Sequence, residues 1–308
     1  GPQADDVALA VIAMGKTGAR ELNYISDVDV VYVVGPAHDP HDVQEPISEE
    51  RLVEVGTHLA TELAHVVSAT APEPPLWPLD TALRPEGKDG ALVRTLDSHL
   101  AYYRRWAASW EFQALLKARA CAGDAELGAR FTALVDGFRY PRGGLDADAV
   151  REVRRMKARV ETERIPRGID PQRHLKLGRG GLADVEWTVQ LLQLQHAGDH
   201  PRLRTTSTLD ALTAAADVGL VTADQADRLS CAWDLASRLR DLNVLGTGRT
   251  SASKIDVLAH DLRDLAVLSF LMGRDDSDRH DIEEEYLRAA RRSRGAVERI
   301  FYGKDTRR

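Results

Sequence analysis

The residues best suited to chemistry are Asp27 and Asp29, within MGKTGARELNYISDVDVVYVV at residues 14–34. They stand at the start of an apolar, β-branched run, a composition that predicts a strand. Because side chains alternate between the two faces of a strand, both carboxylates should project from the same face. Two acids this close repel each other, and burial without a cation would raise the pKa of one of them. The pair therefore predicts a site for divalent metal ions; the alternative is a solvated turn.

A glycine turn and a third acid extend this site. Gly15 follows a predicted strand, where a glycine lets backbone amides approach a phosphate, and Lys16 adds a positive charge. The turn lacks the GxxxxGK[ST] spacing of a P-loop and by itself also fits an ordinary turn. Asp80, on a later predicted strand, could share a metal with the pair and help to deprotonate an attacking hydroxyl, or it could be a solvent-facing polar residue. Arg84 shares the predicted face of Asp80 and could hold a phosphate oxygen.

The first part of the chain should form the sheet that positions these residues. Its patterns predict strands at residues 7–15, 27–34, 79–84 and 91–95, with the last two forming a hairpin. A turn that allows a short helix connects the first two strands, and Ser48 is a suitable N-cap for a longer helix. Three carboxylates beside a glycine turn on such a sheet suit divalent cations bound to a nucleoside triphosphate.

From Asp97 onward the composition favours helices throughout. The predicted helices are 97–108, 110–122, 124–138, 146–164, 182–197, 206–218, 222–245, 255–272 and 280–301. We therefore expect an α+β fold with two domains. The catalytic domain should cover residues 3–138, with an α/β core to about residue 96, and a helical bundle should cover 146–303.

Composition excludes several classes of protein. The 308 residues carry a net charge of −7, whereas a general nucleic-acid-binding protein needs a basic surface. No stretch approaches the roughly 20 apolar residues of a membrane span. Cys121 and Cys231 lie far apart in predicted helices, so we expect buried thiols in a reducing compartment, the cytoplasm, and neither a disulfide nor a zinc site. Gly1-Pro2 is typical of protease cleavage and a core strand follows closely, so we expect an excised piece of a longer protein.

Three later stretches contain charged residues with ordinary alternatives. WEFQALLKARACAGD, at residues 110–124, places Lys117 and Arg119 on a predicted helix, where basic residues are usually solvated. REVRRMKAR, at 151–159, should be a solvated helix face with i,i+4 ion pairs. GRGGLADVEW, at 178–187, places Asp184 in the first turn of a helix, where the helix dipole alone accounts for an acid.

Four stretches together carry a resemblance to a known family: GKTGARELNYISDVDVVYV, DTALRPEGKDGALVRT, WEFQALLKARACAGD and KLGRGGLADVEWTVQLLQLQH. The glycine turn followed by Asp27 and Asp29, with Asp80 on a later strand, resembles the DNA polymerase β-like nucleotidyltransferase superfamily. The longer stretches resemble one half of the bifunctional glutamine synthetase adenylyltransferase/adenylyl-removing enzymes, over nearly the whole chain.

The two halves of that family catalyse opposite reactions. The amino-terminal half removes AMP by phosphorolysis, and the carboxy-terminal half attaches it. WEFQALLKAR and KLGRGGLADVEW look like the adenylylating half, which we expect here, whereas GARELNYISDVDV looks closer to the AMP-removing half.

The resemblance also implies a reaction and a set of site residues. The reaction is transfer of AMP from ATP to a tyrosine of glutamine synthetase with release of pyrophosphate, using two Mg²⁺ ions, under control of the signalling protein PII. Asp27, Asp29 and Asp80 would hold the metals and act in catalysis. The implied nucleotide contacts are Gly15, Lys16, Ser26, Arg84, Lys117 and Arg119. A non-enzymatic helical adaptor that senses a nucleotide is the remaining alternative, and it would not need three acids beside the turn.

Overall fold

The computed structural model describes residues 5–38, 46–68, 78–165, 168–248, 251–274 and 281–304. Over this part of the chain the fold is α+β, which confirms the predicted class, and its five strands form a single sheet. The chain divides into two compact units. The sheet unit comprises Gly1–Leu22, Ser26–Pro141 and Thr205–Ser207, and the helical unit comprises Asn23–Ile25, Arg142–Arg204 and Thr208–Arg308. None of the described helices is both long enough and apolar enough to cross a membrane.

Two long strands form the centre of the sheet unit. β1 (Val7–Ala13) pairs antiparallel with β2 (Val28–Pro36), so both predicted strands are confirmed. Three shorter strands extend the sheet: β3 (Leu79–Asp80) and β4 (Val93–Thr95), both parallel to β2, and β5 (Arg119–Gly123), antiparallel to β1. Because β1 occupies one edge of β2, β3 and β4 follow one another along its other edge. β3 therefore lies beside the first residues of β2.

Helices cover both faces of this sheet, which explains why β1 and the middle of β2, residues 30–34, are apolar. The helices of the unit are α1 (Gly15–Ala19), α2 (Glu49–Ser68), α3 (Leu96–Arg105), α4 (Ser109–Leu115) and α5 (Ala125–Arg139). α2 packs on the face of β2 that carries Val30 and Tyr32, whereas α3, α4 and α5 contribute to the core on the face of Val31 and Val33. Asp27 and Asp29 belong by alternation to this second face.

The helical unit is organised around one long helix, α9. Its helices are α6 (Ala147–Glu163), α7 (Leu182–His196), α8 (Thr208–Asp217), α9 (Ala223–Thr247), α10 (Ala252–Ile255), α11 (Leu262–Leu271) and α12 (Asp281–Ile300). α9 contacts α7, α8, α10, α11 and α12, and α6 packs on α7. Thr222 begins α9 through a capping box with Gln225, and Gly248 ends it in the left-handed conformation at φ 64°.

Two elements of the sheet unit differ from the sequence-based expectation. The strand predicted at 79–84 stops at Asp80, because the Arg84 guanidinium donates to the carbonyl oxygens of Thr81, Lys88 and Gly90 at 2.9, 3.0 and 3.1 Å and bends the chain. Arg84 therefore does not share a strand face with Asp80, and β4 pairs with β2 and forms no hairpin with β3. The helix predicted at 110–122 ends at Leu115, and the residues after it pair with the edge of β1 as β5.

Two further expectations are wrong. The helix predicted at 255–272 is interrupted, because Asp256 accepts from Arg240 Nε at 2.6 Å and Asp261 starts a new helix by accepting from Asp264 N at 2.8 Å. Both cysteines, Cys121 and Cys231, are exposed, and Cys121 lies on β5. Hydrophobic periodicity does not reveal where the predicted 79–84 strand and the predicted 255–272 helix are broken, since each break depends on a side chain that caps or binds another segment.

Asp184 is the centre of a buried charge cluster, which goes beyond the helix-dipole interpretation of the sequence. Only 1% of its surface is exposed. Its carboxylate accepts from Lys157, from Arg294 at 3.0 Å and from Gly180 N at 2.7 Å. Lys157 is buried too, so the solvated face predicted for 151–159 is wrong at that residue. The cluster ties α6, α7 and α12 together, because α7 supplies Asp184, α12 supplies Arg294, and α6 supplies both Lys157 and Glu161, which pairs with Lys157 and with Arg294.

Replacing Asp184 by Asn should lower the free energy of unfolding by about 3 kcal/mol, the lower end for a broken buried pair, because Lys157 and Arg294 would lose the buried one of the two carboxylates that they share and keep only Glu161 of the two. Asp224→Asn is a matched control, since Asp224 pairs with Arg228 at 2.8 Å on the surface and such pairs contribute less than about 1 kcal/mol. Urea denaturation measures both losses. Equal losses would show that the buried cluster does not stabilise this unit.

The same cluster should make stability depend on pH. Burial alone would raise the pKa of the Asp184 carboxyl, but Lys157 and Arg294 hold this pKa below its ordinary value of 3.8. The stabilisation is therefore complete above that value and is lost as the pH falls through the lower pKa of the folded state. Below pH 3.8, wild-type stability should decline more steeply than that of Asp184→Asn in acid titrations of the unfolding midpoint.

Gly18→Ala should destabilise the sheet unit, because an added Cβ would lie 1.8 Å from the Lys117 carbonyl oxygen and 2.7 Å from that of Ala13. Backbone atoms yield little, so we expect a loss of about 1–3 kcal/mol, the usual cost of overpacking. Gly137→Ala in α5 is the control, since its Cβ would meet nothing within 4 Å and should gain up to about 1 kcal/mol of helix propensity. Denaturation curves that show similar changes for both variants would contradict the close approach at Gly18.

Candidate active site

Asp29 and Asp80 lie side by side on adjacent strands. They are partners in the parallel pairing of β2 with β3, and paired residues of parallel strands project from the same face. Strand spacing places the two backbones about 4.8 Å apart. Asp80 Oδ1 accepts from Ala82 N at 2.7 Å, which fixes its carboxylate at the point where β3 ends. The sequence could predict two acids on strands, and the structure places them in register.

Asp27 lies one residue before β2 and is exposed, whereas Asp29 and Asp80 are half-buried. In the described residues, no group of three or more His, Cys, Asp or Glu is gathered closely enough to hold a metal ion. The donors nevertheless fit Mg²⁺, which prefers oxygen ligands and is usually bound through one or two carboxylates together with substrate phosphates. On this chemistry Asp29 and Asp80 would be the central protein ligands, and the exposed Asp27 would be the third.

The glycine turn is packed directly against Asp29. Gly15 has φ 49°, and an added Cβ would lie 2.4 Å from Asp29 Oδ2. Met14 N donates to the Asp29 carbonyl oxygen at 2.9 Å, so the residue before the turn is also fixed to β2. Glycine adopts this left-handed backbone without strain, and any larger residue at position 15 would also have to displace the Asp29 carboxylate. Of the sequence-predicted site residues, Gly15, Asp29 and Asp80 are the ones the structure brings together most closely.

Lys16 and Ser26 lie near this centre along the chain. Lys16 is the second residue of α1 and Ser26 directly precedes Asp27; both are half-buried and both have polar interactions. Their predicted contacts with a nucleotide remain predictions.

Arg84 has a different environment from the one predicted for a phosphate ligand. Besides the three carbonyl oxygens that it binds, Nη1 donates to Thr81 Oγ1 at 2.8 Å. Its guanidinium thus closes the loop that follows Asp80. This loop begins at the hydrogen bond between Asp80 and Ala82, so Arg84 supports the position of the third acid.

Lys117 and Arg119 lie after α4, and neither is on a helix, contrary to the sequence-based expectation. Lys117 is 3% exposed, and its ammonium donates to Glu21 Oε2 at 3.2 Å and to the Thr206 carbonyl oxygen at 2.9 Å. Arg119 donates to the carbonyl oxygens of Gly18 and Thr17 at 2.9 and 3.1 Å. Both basic groups are thus bound to protein atoms around α1.

Sequence reasoning missed Glu21 and Thr206, the partners of Lys117. The only local signal is an acid directly after the GKTGAR turn, and nothing in the sequence around position 206 indicates the contact. It also missed Asn23, which belongs to the helical unit: its side-chain amide donates to Ser237 Oγ at 3.0 Å and accepts from Arg240.

Two family models match the chain in succession. The glutamate-ammonia ligase adenylyltransferase model matches residues 2–134, and the GlnD PII-uridylyltransferase model matches residues 151–302. The first match contains the acids and the glycine turn, and the second begins within α6.

Curated relatives extend this similarity over nearly the whole chain. The bifunctional glutamine synthetase adenylyltransferase/adenylyl-removing enzymes of Streptomyces coelicolor and Streptomyces avermitilis are 47% and 48% identical over 95% and 96% of the chain. The enzyme of that name from Mycobacterium avium is 46% identical over 98%. The chain spans 28% or 29% of the length of these relatives. With this identity, the chain belongs to the family of the bifunctional glutamine synthetase adenylyltransferase/adenylyl-removing enzymes.

Proposed function

We propose that the chain transfers AMP from ATP to a tyrosine hydroxyl of glutamine synthetase and releases pyrophosphate. The observation that carries the proposal is the in-register pair Asp29 and Asp80, with the Gly15 turn packed against Asp29. Family membership supports the substrates, since the relatives are named for adenylylation of glutamine synthetase and for its removal.

The reaction requires little covalent chemistry from the protein. The tyrosine oxygen attacks the α-phosphorus of ATP, the bond from that phosphorus to the bridging oxygen breaks, and pyrophosphate leaves with its electron pair. Asp80 lies on the same sheet face as Asp29 and would accept the tyrosine proton. Asp27, Asp29 and Asp80 would hold Mg²⁺, which when bound lowers the pKa of the hydroxyl and neutralises charge on the phosphates. The Gly15 and Lys16 turn would face the triphosphate.

A second candidate is the reverse chemistry, phosphorolysis of the AMP–tyrosine bond. Inorganic phosphate would attack the phosphorus of AMP, the bond to the tyrosine oxygen would break, that oxygen would regain a proton, and ADP would leave. The stretch GARELNYISDVDV favours this candidate. Asn23, within that stretch, is buried and hydrogen bonded in the helical unit, so this residue has a structural role of its own. Both candidates use the same acids.

The helical unit would hold the protein substrate in either reaction. PII is proposed as the regulator, on the family resemblance alone. The second family model is named for a PII-uridylyltransferase and covers this part of the chain.

Asp29→Asn and Asp80→Asn should each lower the rate of AMP transfer by at least about 100-fold, because charge on the reacting phosphates would lose its stabilisation. Asp97→Asn is the control, since Asp97 is an exposed acid at the start of α3 and outside the site. The measurement is the AMP adduct on glutamine synthetase by intact mass, at several Mg²⁺ concentrations. Retention of full activity by either site variant would refute the proposed acid centre.

Wild-type protein should add an AMP-sized mass to glutamine synthetase with ATP and Mg²⁺, and release pyrophosphate. With AMP–glutamine synthetase and phosphate it should release no ADP if adenylylation is its reaction. ADP release without adduct formation would select phosphorolysis instead. If neither product forms, with PII and glutamine varied, both candidates are rejected.

A further inference from the structure

Lys117 lies where three separate parts of the sheet unit meet. Its ammonium is bound to Glu21, two residues after α1, and to the carbonyl oxygen of Thr206. The side chains of Lys117 and Glu21 are 4% and 13% exposed, so this ion pair is nearly dry. A buried pair of this kind costs desolvation that its attraction barely offsets. Its clearest effect is therefore geometric: it fixes the end of α1 at one place.

The chain at and just after Lys117 also contacts the backbone of α1. The Lys117 carbonyl oxygen sits so close to Gly18 that no Cβ would fit there. Two residues later, Arg119 caps the carbonyl oxygens of Gly18 and Thr17. Two nearby positions, Lys117 and Arg119, thus both contact the backbone of a five-residue helix.

The segment that contains Lys117 is itself held by hydrogen bonds from another helix. Arg139, buried on α5, donates to the carbonyl oxygens of Leu115 and Ala118 at 2.9 and 2.8 Å. Lys117 lies between those two residues. The rigid core of the sheet unit therefore holds the segment, and the segment holds α1.

The opposite end of α1 is the Gly15 turn against Asp29. We propose that Lys117 and Arg119 are positioning residues: they hold α1 from its far end so that Gly15 stays on the Asp29 carboxylate, and Glu21 is the required partner of Lys117. This assignment rests on the proposed function and replaces the expectation that both basic groups contact the triphosphate.

The test is a cycle of three variants, Lys117→Met, Glu21→Gln and the double variant, assayed for AMP transfer in whichever direction the wild type shows. Each should lower kcat/KM by about 10- to 100-fold, since small misplacements near a reacting centre have effects of this size. The double variant should be no worse than either single variant. Additive losses, or full activity in Glu21→Gln, would assign Lys117 to the substrate and overturn the proposal.

Stability separates positioning from a purely structural role. Glu21→Gln leaves a buried ammonium without its anion and should lower the unfolding temperature, whereas the double variant removes both charges and should recover it. We expect kcat/KM to stay low in the double variant although its stability returns. If activity recovers together with stability, the pair only supports the fold and the proposal fails.

Hydrogen exchange gives a measurement that does not need activity. The amides of Gly18, Arg20 and Glu21 are bonded within the α1 region, and their exchange should accelerate in all three variants. Arg119→Lys should act similarly, because an ammonium cannot reproduce the planar cap on two carbonyl oxygens. Arg130→Met, an exposed charge on α5, is the control. Unchanged exchange at α1 would overturn the positioning role even if the wild type transferred no AMP, and inactivity of the wild type alone would count only against the proposed function.

Discussion

The contact between the Gly15 backbone and the Asp29 carboxylate is the constraint on which the rest of the sheet unit depends. It requires a residue without a side chain, a left-handed backbone and a strand that brings Asp29 to the level of the turn. The antiparallel ladder of β1 and β2 meets the last requirement, because it ends with Ala13 opposite Val30, one residue short of both Met14 and Asp29. Asp80 then reaches the same place through the short parallel pairing of β3. The pairing of β1 with β2, the pairing of β2 with β3, and the glycine at position 15 thus together determine the positions of the site residues.

Local patterns in the sequence reveal part of this arrangement. β1 and β2 could be predicted because a buried strand has a continuous run of apolar residues. The shared face of Asp27 and Asp29 follows because side chains alternate between the two faces of a strand. The alanine-rich sequence of β5 favours a helix, but these residues pair with the edge of β1 and form a strand. The bond of Lys117 to Glu21 joins residues 96 positions apart, and no local pattern carries that information. What the sequence leaves out is therefore the set of long-range polar contacts.

Those contacts share a physical character. Lys117 with Glu21, Arg240 with Asp256, and Asp184 with Lys157 are all largely withdrawn from water, and each joins segments that are remote in sequence or on different helices. Apolar packing tolerates small slips, because many neighbouring arrangements bury similar area. A desolvated charge pair does not tolerate small displacements, because separating its two members leaves a buried charge without a partner. Such pairs serve as fixed points within each unit, while the apolar core supplies most of the stability.

The path of the chain through residues 23–25 limits how this protein can be divided. These residues lie between α1 and β2 in sequence, yet they belong to the helical unit, where Asn23 and Tyr24 bind side chains of α9. A fragment ending at Pro141 would keep Asn23 but discard Ser237, Arg240 and Asp241, and so would expose polar groups that are paired in the intact chain. The two units therefore cannot be exchanged as independent modules. A chimera that keeps the helical unit would have to keep residues 23–25 together with the residues of α9 that bind them.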